Sequence, residues 1–334
     1  MKKMRTDDRD KILFFLRKGY FREPQFLQIE ITDSCPLTCP QCYKKEGSSV
    51  FMPIDRFENI IDEAYEMGIK EIFLNGGEPL EHPFFEEMVA YSCKKKISST
   101  IFTSGYKIEK KEKVWKKYDT NILISLNGSC EEINKKSRGG YYISLNAMKY
   151  LKKINTKYGI NWVARHDNVY DLPKLVEISK KYNASYINIV CNKISGKGNI
   201  DSPLNREDYI FLKKEINKES DYFRVQNCYG ILLSLLGEKN NRLYGCQAGI
   251  RVMAIDTRGS YMPCTHMFYD EKTTSIKDYW NNSDVLRKLR SISKLTYCND
   301  CNRCRVCHSI SKEAHDDLTK GFKDCPVKEI YNEI

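Results

Sequence analysis

The chain has 334 residues, 41% hydrophobic and 30% charged, enough for one large domain or a large and a small one, and too apolar for intrinsic disorder. No stretch approaches the ~20 apolar residues that cross a bilayer. Residues 1–11 alternate basic and acidic side chains without a cleavage site, so neither a membrane partner nor a secretory signal is expected and the cytoplasm is the default. The formal net charge of +11 does not point to nucleic acid, because the lysines are spread through helical segments such as residues 110–117 rather than gathered into a stripe.

Residues 1–23 read as an amino-terminal extension. From residue 26, short apolar or β-branched runs alternate with amphipathic stretches, the pattern of repeated βα units on a parallel sheet, hence an α/β protein. Six strands are expected over residues 26–32, 71–74, 98–103, 121–126, 160–164 and 185–190. Between the first two, Phe57, Ile60, Ile61, Ala64 and Tyr65 fall on one helical face, and Gly68 stands where such a helix ends. Asp171 before Leu172-Pro173 marks another helix start. Right-handed crossovers wind six such units into an open, partial (β/α)6 barrel over residues 24–200, with reactive residues at the carboxyl ends of the strands. The alternation then fades. Residues 201–245 read as a helical bridge. Residues 246–334 read as a small, loop-rich domain poor in core residues, whose seven cysteines could staple it through metal.

Fourteen cysteines in a reducing compartment are thiols or metal ligands rather than disulfides. Cys35, Cys39 and Cys42 form C-x3-C-x2-C directly after the first strand. Three thiolates on one short loop can hold three corners of a 4Fe-4S cube, leaving one iron open. Structural zinc takes four closed ligands and favours paired C-x2-C knuckles, which this spacing fits poorly.

This loop resembles that of the radical S-adenosylmethionine (radical SAM) enzymes, and the resemblance covers most of residues 24–200. Their position before the last cysteine is commonly aromatic, whereas here it is Gln41. The second strand runs into Asn75-Gly76-Gly77-Glu78-Pro79, similar to the family's GGEP segment. Two glycines permit close backbone approach to a ligand, and a carboxylate accepts from an ammonium group. By resemblance, Gly76, Gly77 and Glu78 contact the amino group of SAM. Ser125 ends the fourth strand and Arg138-Gly139-Gly140 follows, similar to the S-L-D-G…R-G segment of relatives with cysteine-rich extensions. The resemblance assigns Ser125 and Arg138 to the SAM carboxylate, for which an arginine fork is suited. Asn127 replaces the usual aspartate. His166 reads as a strand-end polar residue, and no acid-base catalyst is assigned.

Cys246, Gly259 and Cys264, then Cys298-x2-Cys301-x5-Cys307 and Cys325, resemble the SPASM extension that holds auxiliary clusters in peptide-modifying relatives. The resemblance gives Cys298, Cys301, Cys307 and Cys325 to a second auxiliary cluster and Cys246 and Cys264 to a first. The pattern expects a cysteine where Ser311 stands, and Cys304 is extra. Cys228 or Cys304 could replace the missing ligand, or an open iron could bind substrate. The C-x2-C spacing taken alone suits zinc equally well. Cys93, Cys130 and Cys191 fall outside every motif and read as small buried or incidental thiols.

The resemblance implies a 4Fe-4S cluster, one or two auxiliary clusters, and SAM cleaved reductively to a 5′-deoxyadenosyl radical. That radical removes hydrogen from a ribosomally made peptide, and a crosslink or oxidation follows. An external electron donor such as flavodoxin or ferredoxin is implied. Residues 1–34 are too few for the winged-helix peptide-recognition domain of some relatives, so a separate leader-binding protein or direct docking of the precursor peptide is expected. The other readings are an anaerobic sulfatase maturase, a porphyrin side-chain modifying enzyme, and a metal-stapled scaffold without activity. Sulfatase maturases place an aspartate after the second tail cysteine, where this chain has Thr265-His266.

Overall fold

The computed structural model describes residues 6–44, 49–193, 195–197, 203–237, 245–269, 271, 273–292, 296–298, 317 and 319–320. The strands are β1 (Phe26–Thr32), β2 (Glu71–Gly76), β3 (Ser98–Thr103), β4 (Thr120–Ser125), β5 (Gly159–Ala164), β6 (Ile187–Cys191), β7 (Phe223–Val225), β8 (Val252–Ile255) and β9 (Tyr261–Met262). The helices are α1 (Thr6–Lys18), α2 (Ile54–Glu66), α3 (Phe85–Lys94), α4 (Glu112–Lys117), α5 (Glu131–Asn134), α6 (Tyr141–Lys153), α7 (Leu172–Lys181), α8 (Arg206–Lys218), α9 (Gly230–Leu235), α10 (Ile276–Asn282) and α11 (Asp284–Ser291). The six strands expected from the sequence all form, with ends shifted by one or two residues. Among the described residues no helix is long and apolar enough to cross a membrane.

All strands join one sheet in the order β7-β6-β5-β4-β3-β2-β1-β8-β9, parallel throughout except for the antiparallel β8–β9 pair. Consecutive parallel neighbours joined by helices give the expected partial barrel, in which every reactive loop leaves at the same end. Residues beyond 200 return to this sheet: β7 extends it past β6, and β8 pairs with β1 on the opposite edge.

Strand alternation sets the two faces. Leu27, Ile29 and Ile31 of β1 are fully buried on the helix side. Phe26 of β1, Phe73 of β2 and Phe102 of β3 form an aromatic file, with centroids 5.5 and 5.9 Å apart. On α2, Phe57, Ile60, Ile61 and Ala64 are buried as their spacing requires, and a side chain such as Phe57 contributes roughly 1.5–3 kcal/mol by leaving water. Tyr65 departs from that face. It is 47% exposed, with the ammonium groups of Lys70 and Lys95 within 5.9 and 5.7 Å of its ring.

Asp171 precedes α7 as expected but does not cap it. Its carboxylate instead accepts from the Ser129 N–H and hydroxyl, both at 2.6 Å. A buried hydrogen bond to a charged group is worth about 1.5–3 kcal/mol against about 1 for an N-cap. The long-range pairing therefore prevails, and it holds the loop leaving β4.

Candidate functional site

The cysteine loop leaves β1 at the carboxyl end of the sheet. Cys35 is exposed, Cys39 and Cys42 are half-buried, and none is in a disulfide. Three other strand exits hold the loop. From β2, the Gly77 N–H donates to the Thr32 carbonyl at 2.6 Å and the Glu78 N–H to the Ser34 carbonyl at 2.7 Å. Beyond β4, the Ser137 carbonyl accepts from the Gln41 N–H at 3.2 Å, and beyond β6 the Lys197 N–H donates to the Cys42 carbonyl at 2.8 Å. Gly196 makes the last contact possible: its φ is +65°, and a Cβ there would lie 2.1 Å from the Tyr43 carbonyl oxygen.

A buried ionic group lies under the loop. Lys44 pairs with Glu30 at 2.9 Å and with Asp33, and Asp33 also accepts from the Thr257 hydroxyl at 2.7 Å, tying the loop to the turn after β8. Burial pushes the Glu30 carboxyl upward despite Lys44. The Tyr43 hydroxyl donates to the Gly76 carbonyl at 3.1 Å, while its ring meets that of His266 with centroids 5.1 Å apart. Burial, with Lys193 adding to it, holds the His266 imidazole well below its ordinary pKa.

The glycine turn after β2 is dictated by the chain's own packing. Gly76 has φ +123°, and a Cβ on it would lie 2.2 Å from the Thr32 carbonyl oxygen; one on Gly77 would lie 2.1 Å from that of Ser34. Sequence reasoning expected a close approach to a ligand. In the structure these glycines approach the backbone that launches the cysteine loop. Glu78 is 2% exposed and accepts from the Thr103 hydroxyl (2.5 Å), the Ser104 N–H (2.8 Å), the Ser104 hydroxyl (2.5 Å) and the Leu80 N–H (3.3 Å). Burial raises its pKa and these donors work against the rise. Four donors fill a carboxylate's acceptor sites. Glu78→Gln turns an amide N–H₂ against some of them and is expected to cost about 1–3 kcal/mol, read as a lowered urea midpoint with an unchanged slope.

Ser125 is buried at the end of β4, and its carbonyl accepts from the Ser144 hydroxyl at 3.1 Å. Three asparagines tie the β4 and β5 exits together. The Asn127 side chain donates to the Ser137 hydroxyl (2.9 Å) and accepts from the Val163 N–H (3.1 Å). Asn134 accepts from the Asn127 N–H (2.8 Å) and donates to the Arg138 carbonyl (2.9 Å). Asn168 donates to the Asn127 carbonyl (3.0 Å) and accepts from the Arg165 N–H (2.9 Å). His166 pairs through Nδ1 with Asp208 of α8 at 2.8 Å, in keeping with a strand-end polar residue.

Around these exits, buried polar atoms lack protein partners: Asn75 Oδ1, Arg138 Nε and Arg165 Nη1. The Arg165 side chain is only 4% exposed, and Asp167 engages its other nitrogens at 3.0 and 2.8 Å. The Cys35 thiol lies within the electrostatic reach of this group. Although the residue reaches the surface, the protein around its sulfur removes enough water to push the pKa up to about 11, with the Leu37 N–H and Arg138 opposing the rise and Glu78 and Cys39 adding to it. One unsatisfied acceptor and two unsatisfied cationic donors complement a zwitterionic amino acid, and three thiols on one loop suit an iron-sulfur cluster with an open corner. The residues present therefore fit both SAM and its cluster. Among the described residues no three His, Cys, Asp or Glu side chains converge on a point where one ion could be held.

Sequence reasoning did not single out Asn75, Thr103, Ser104, Arg165, the Lys44 group or His266. The available signal was polar residues at strand ends, as in Thr103-Ser104-Gly105, but nothing local says what each would meet. Of the tail cysteines, Cys246 is buried and Cys228 and Cys264 are half-buried. Cys298 is described only as main chain in a short turn, and Cys301, Cys304, Cys307 and Cys325 lie outside the described residues. Cys191 is buried, and Cys93 and Cys130 are half-buried.

Residues 29–189 match the family described as the Radical SAM superfamily. The chain is 24% identical over 322 residues to the AdoMet-dependent heme synthase of Methanosarcina barkeri, covering 87% of this chain and 92% of that protein. It is 23% identical over 304 residues to the PqqA peptide cyclase of Granulibacter bethesdensis, covering 85% and 81%. In fold it is similar to Streptococcus suis SuiB bound to S-adenosylmethionine, with a TM-score of 0.78 and 19% identity over 96% of this chain and 81% of that one. SuiB bound to the precursor peptide SuiA gives the same TM-score.

Proposed function

Because residues 29–189 form a radical SAM domain, we propose that the protein is a peptide maturase that cleaves SAM reductively and removes hydrogen from a ribosomally made precursor peptide. The convergence of the cysteine loop, the Gly76-Gly77 turn and the Arg138 loop at one end of the sheet carries this reading. The similarity to PqqA peptide cyclase along most of both chains supports it.

In this reading Cys35, Cys39 and Cys42 hold a 4Fe-4S cluster. When bound, the cluster supplies the electron that splits SAM into methionine and a 5′-deoxyadenosyl radical. The chain's own residues bind and orient. With the Glu78 carboxylate engaged by Thr103 and Ser104, the Gly76 carbonyl by Tyr43 and the Glu78 carbonyl by Glu81, Asn75 Oδ1 and the Gly77 carbonyl are the acceptors left for the SAM ammonium. Arg138, with Ser125 beside the same exit, takes the carboxylate. The peptide's hydrogen atom would go to the 5′ carbon, giving 5′-deoxyadenosine. Closing a thioether or carbon–carbon bond would release one proton and one electron, and an auxiliary cluster, when bound, would be the acceptor for that electron. Cys246 and Cys264 serve the first such cluster, and Cys298, Cys301, Cys307 and Cys325 the second. A flavodoxin or ferredoxin supplies the reducing electron, and a separate protein or direct docking presents the peptide's leader.

The test is to incubate the anaerobic, reduced enzyme with SAM and the peptide encoded beside its gene. The expected product lacks two hydrogens and appears with 5′-deoxyadenosine. An unchanged peptide beside normal SAM cleavage would reject the substrate class. One observation favours a second reading, porphyrin side-chain modification: the heme synthase is matched over 92% of its length. Conversion of an added porphyrin carboxylate substrate, with the peptide untouched, would select it.

A further inference from the structure

We propose that Cys228 is a ligand of the first auxiliary cluster, supplying with Cys246 and Cys264 three of its thiolates and taking the place that Ser311 leaves unfilled. The inference rests on the reading that the chain carries an auxiliary cluster at all. The sequence leaves Cys228 and Cys304 as equal substitutes; the fold distinguishes Cys228 by where it puts it.

Cys228 lies on the turn that leaves β7. The Gln226 N–H donates to the Ile189 carbonyl at 2.9 Å, and the Tyr229 N–H donates back to the Gln226 carbonyl at 2.8 Å, closing the turn around Cys228. Immediately before it, the Asn227 carbonyl accepts from the Gly245 N–H at 2.7 Å. Cys228 and Cys246 each follow one partner of this hydrogen bond, so segments far apart in sequence bring the two residues close together. Cys264 arrives from the other side. Met262 of β9 pairs with Ala254 of β8, so Cys264, two residues on, lies past the end of that ladder on the side of the start of β8, where it bridges Met267. Ala248, two residues after Cys246, forms a bridge with Val252. The segments carrying Cys246 and Cys264 thus both lie at the start of β8, while Cys228 comes to the Cys246 segment from β7.

Cys246 is 2% exposed within the core, and Cys228 and Cys264 are half-buried against it. The Cys228 S–H donates to Gln226 Oε1 at 3.0 Å, a proton it gives up when a metal takes the thiolate. An iron-sulfur cube spreads its thiolates further apart than a single zinc, whose four sulfurs sit about 2.3 Å from one centre. The four-iron cube is the auxiliary group that the SPASM resemblance implies for Cys246 and Cys264.

The test counts auxiliary irons alone, using full-length protein in which Cys35, Cys39 and Cys42 are alanine, reconstituted anaerobically with iron and sulfide. Adding Cys228→Ala is expected to remove about four irons per chain, the content of one cube, or to leave a three-iron form detected by electron paramagnetic resonance. Cys93→Ala in the same background is expected to retain them all. Cys228→Ser, nearly isosteric, is expected to lose or spectroscopically alter the same cluster with unchanged circular dichroism, and it decides the matter if the alanine variant unfolds. A full iron complement with an unaltered spectrum in both variants overturns Cys228 as a ligand. No iron in the triple-alanine background overturns the auxiliary cluster as well, while modification of the peptide is scored independently.

Discussion

Replacing Cys35, Cys39 and Cys42 together with alanine is expected to abolish 5′-deoxyadenosine formation and to lower the iron content by about four per chain, one cube. The fold should survive. Cys35 is exposed and the other two are half-buried, and substitutions at such positions usually stay within about 0.5 kcal/mol each. The loop's anchors are main-chain hydrogen bonds from Gly77, Glu78, Gln41 and Lys197, which alanines at the cysteine positions leave in place. Far-UV circular dichroism and the urea midpoint should therefore match the parent protein while anaerobic SAM cleavage falls below detection. Retained cleavage would remove the cysteine loop from the chemistry; a collapsed fold would mean the loop is a structural staple.

The second large effect is expected from Gly77→Ala, which leaves every candidate ligand unchanged. The new Cβ falls 2.1 Å from the Ser34 carbonyl oxygen and 2.6 Å from its carbon. Both are backbone atoms that no side-chain rotation can move. Either the turn after β2 or the start of the cysteine loop must shift, at a cost of about 1–3 kcal/mol, which for a chain of this size lowers the melting temperature by roughly 2–4 °C per kcal/mol. The functional loss should exceed the stability loss, because a displacement near 1 Å at a reacting centre costs on the order of 100-fold. Gly139→Ala is the control. Gly139 is half-buried, but a Cβ there meets nothing within 4 Å, and SAM affinity by equilibrium dialysis and cleavage rate should both stay within about twofold, because the methyl enters open space. Equal behaviour of the two variants would mean that the glycine turn does not position the site.

The sequence alone determined the six βα units, the cysteine loop at the first strand exit and the order of the glycine turn and Arg138 behind it. Those features depend on local periodicity and covalent spacing, which a single chain displays directly. β7, β8 and β9 were invisible at that level because strands of three, four and two residues are too short for alternation to register. Tertiary structure decided what each polar group meets. Glu78 faces Thr103 and Ser104 from the next strand exit, the glycines press on Thr32 and Ser34, Asp33 reaches Thr257, and Cys228 is brought beside Cys246 through a bond between Asn227 and Gly245. Each of these pairings links separate segments of the chain, and a buried polar group takes whichever partner the closed sheet puts within reach, because leaving it unpaired costs more than any local alternative returns.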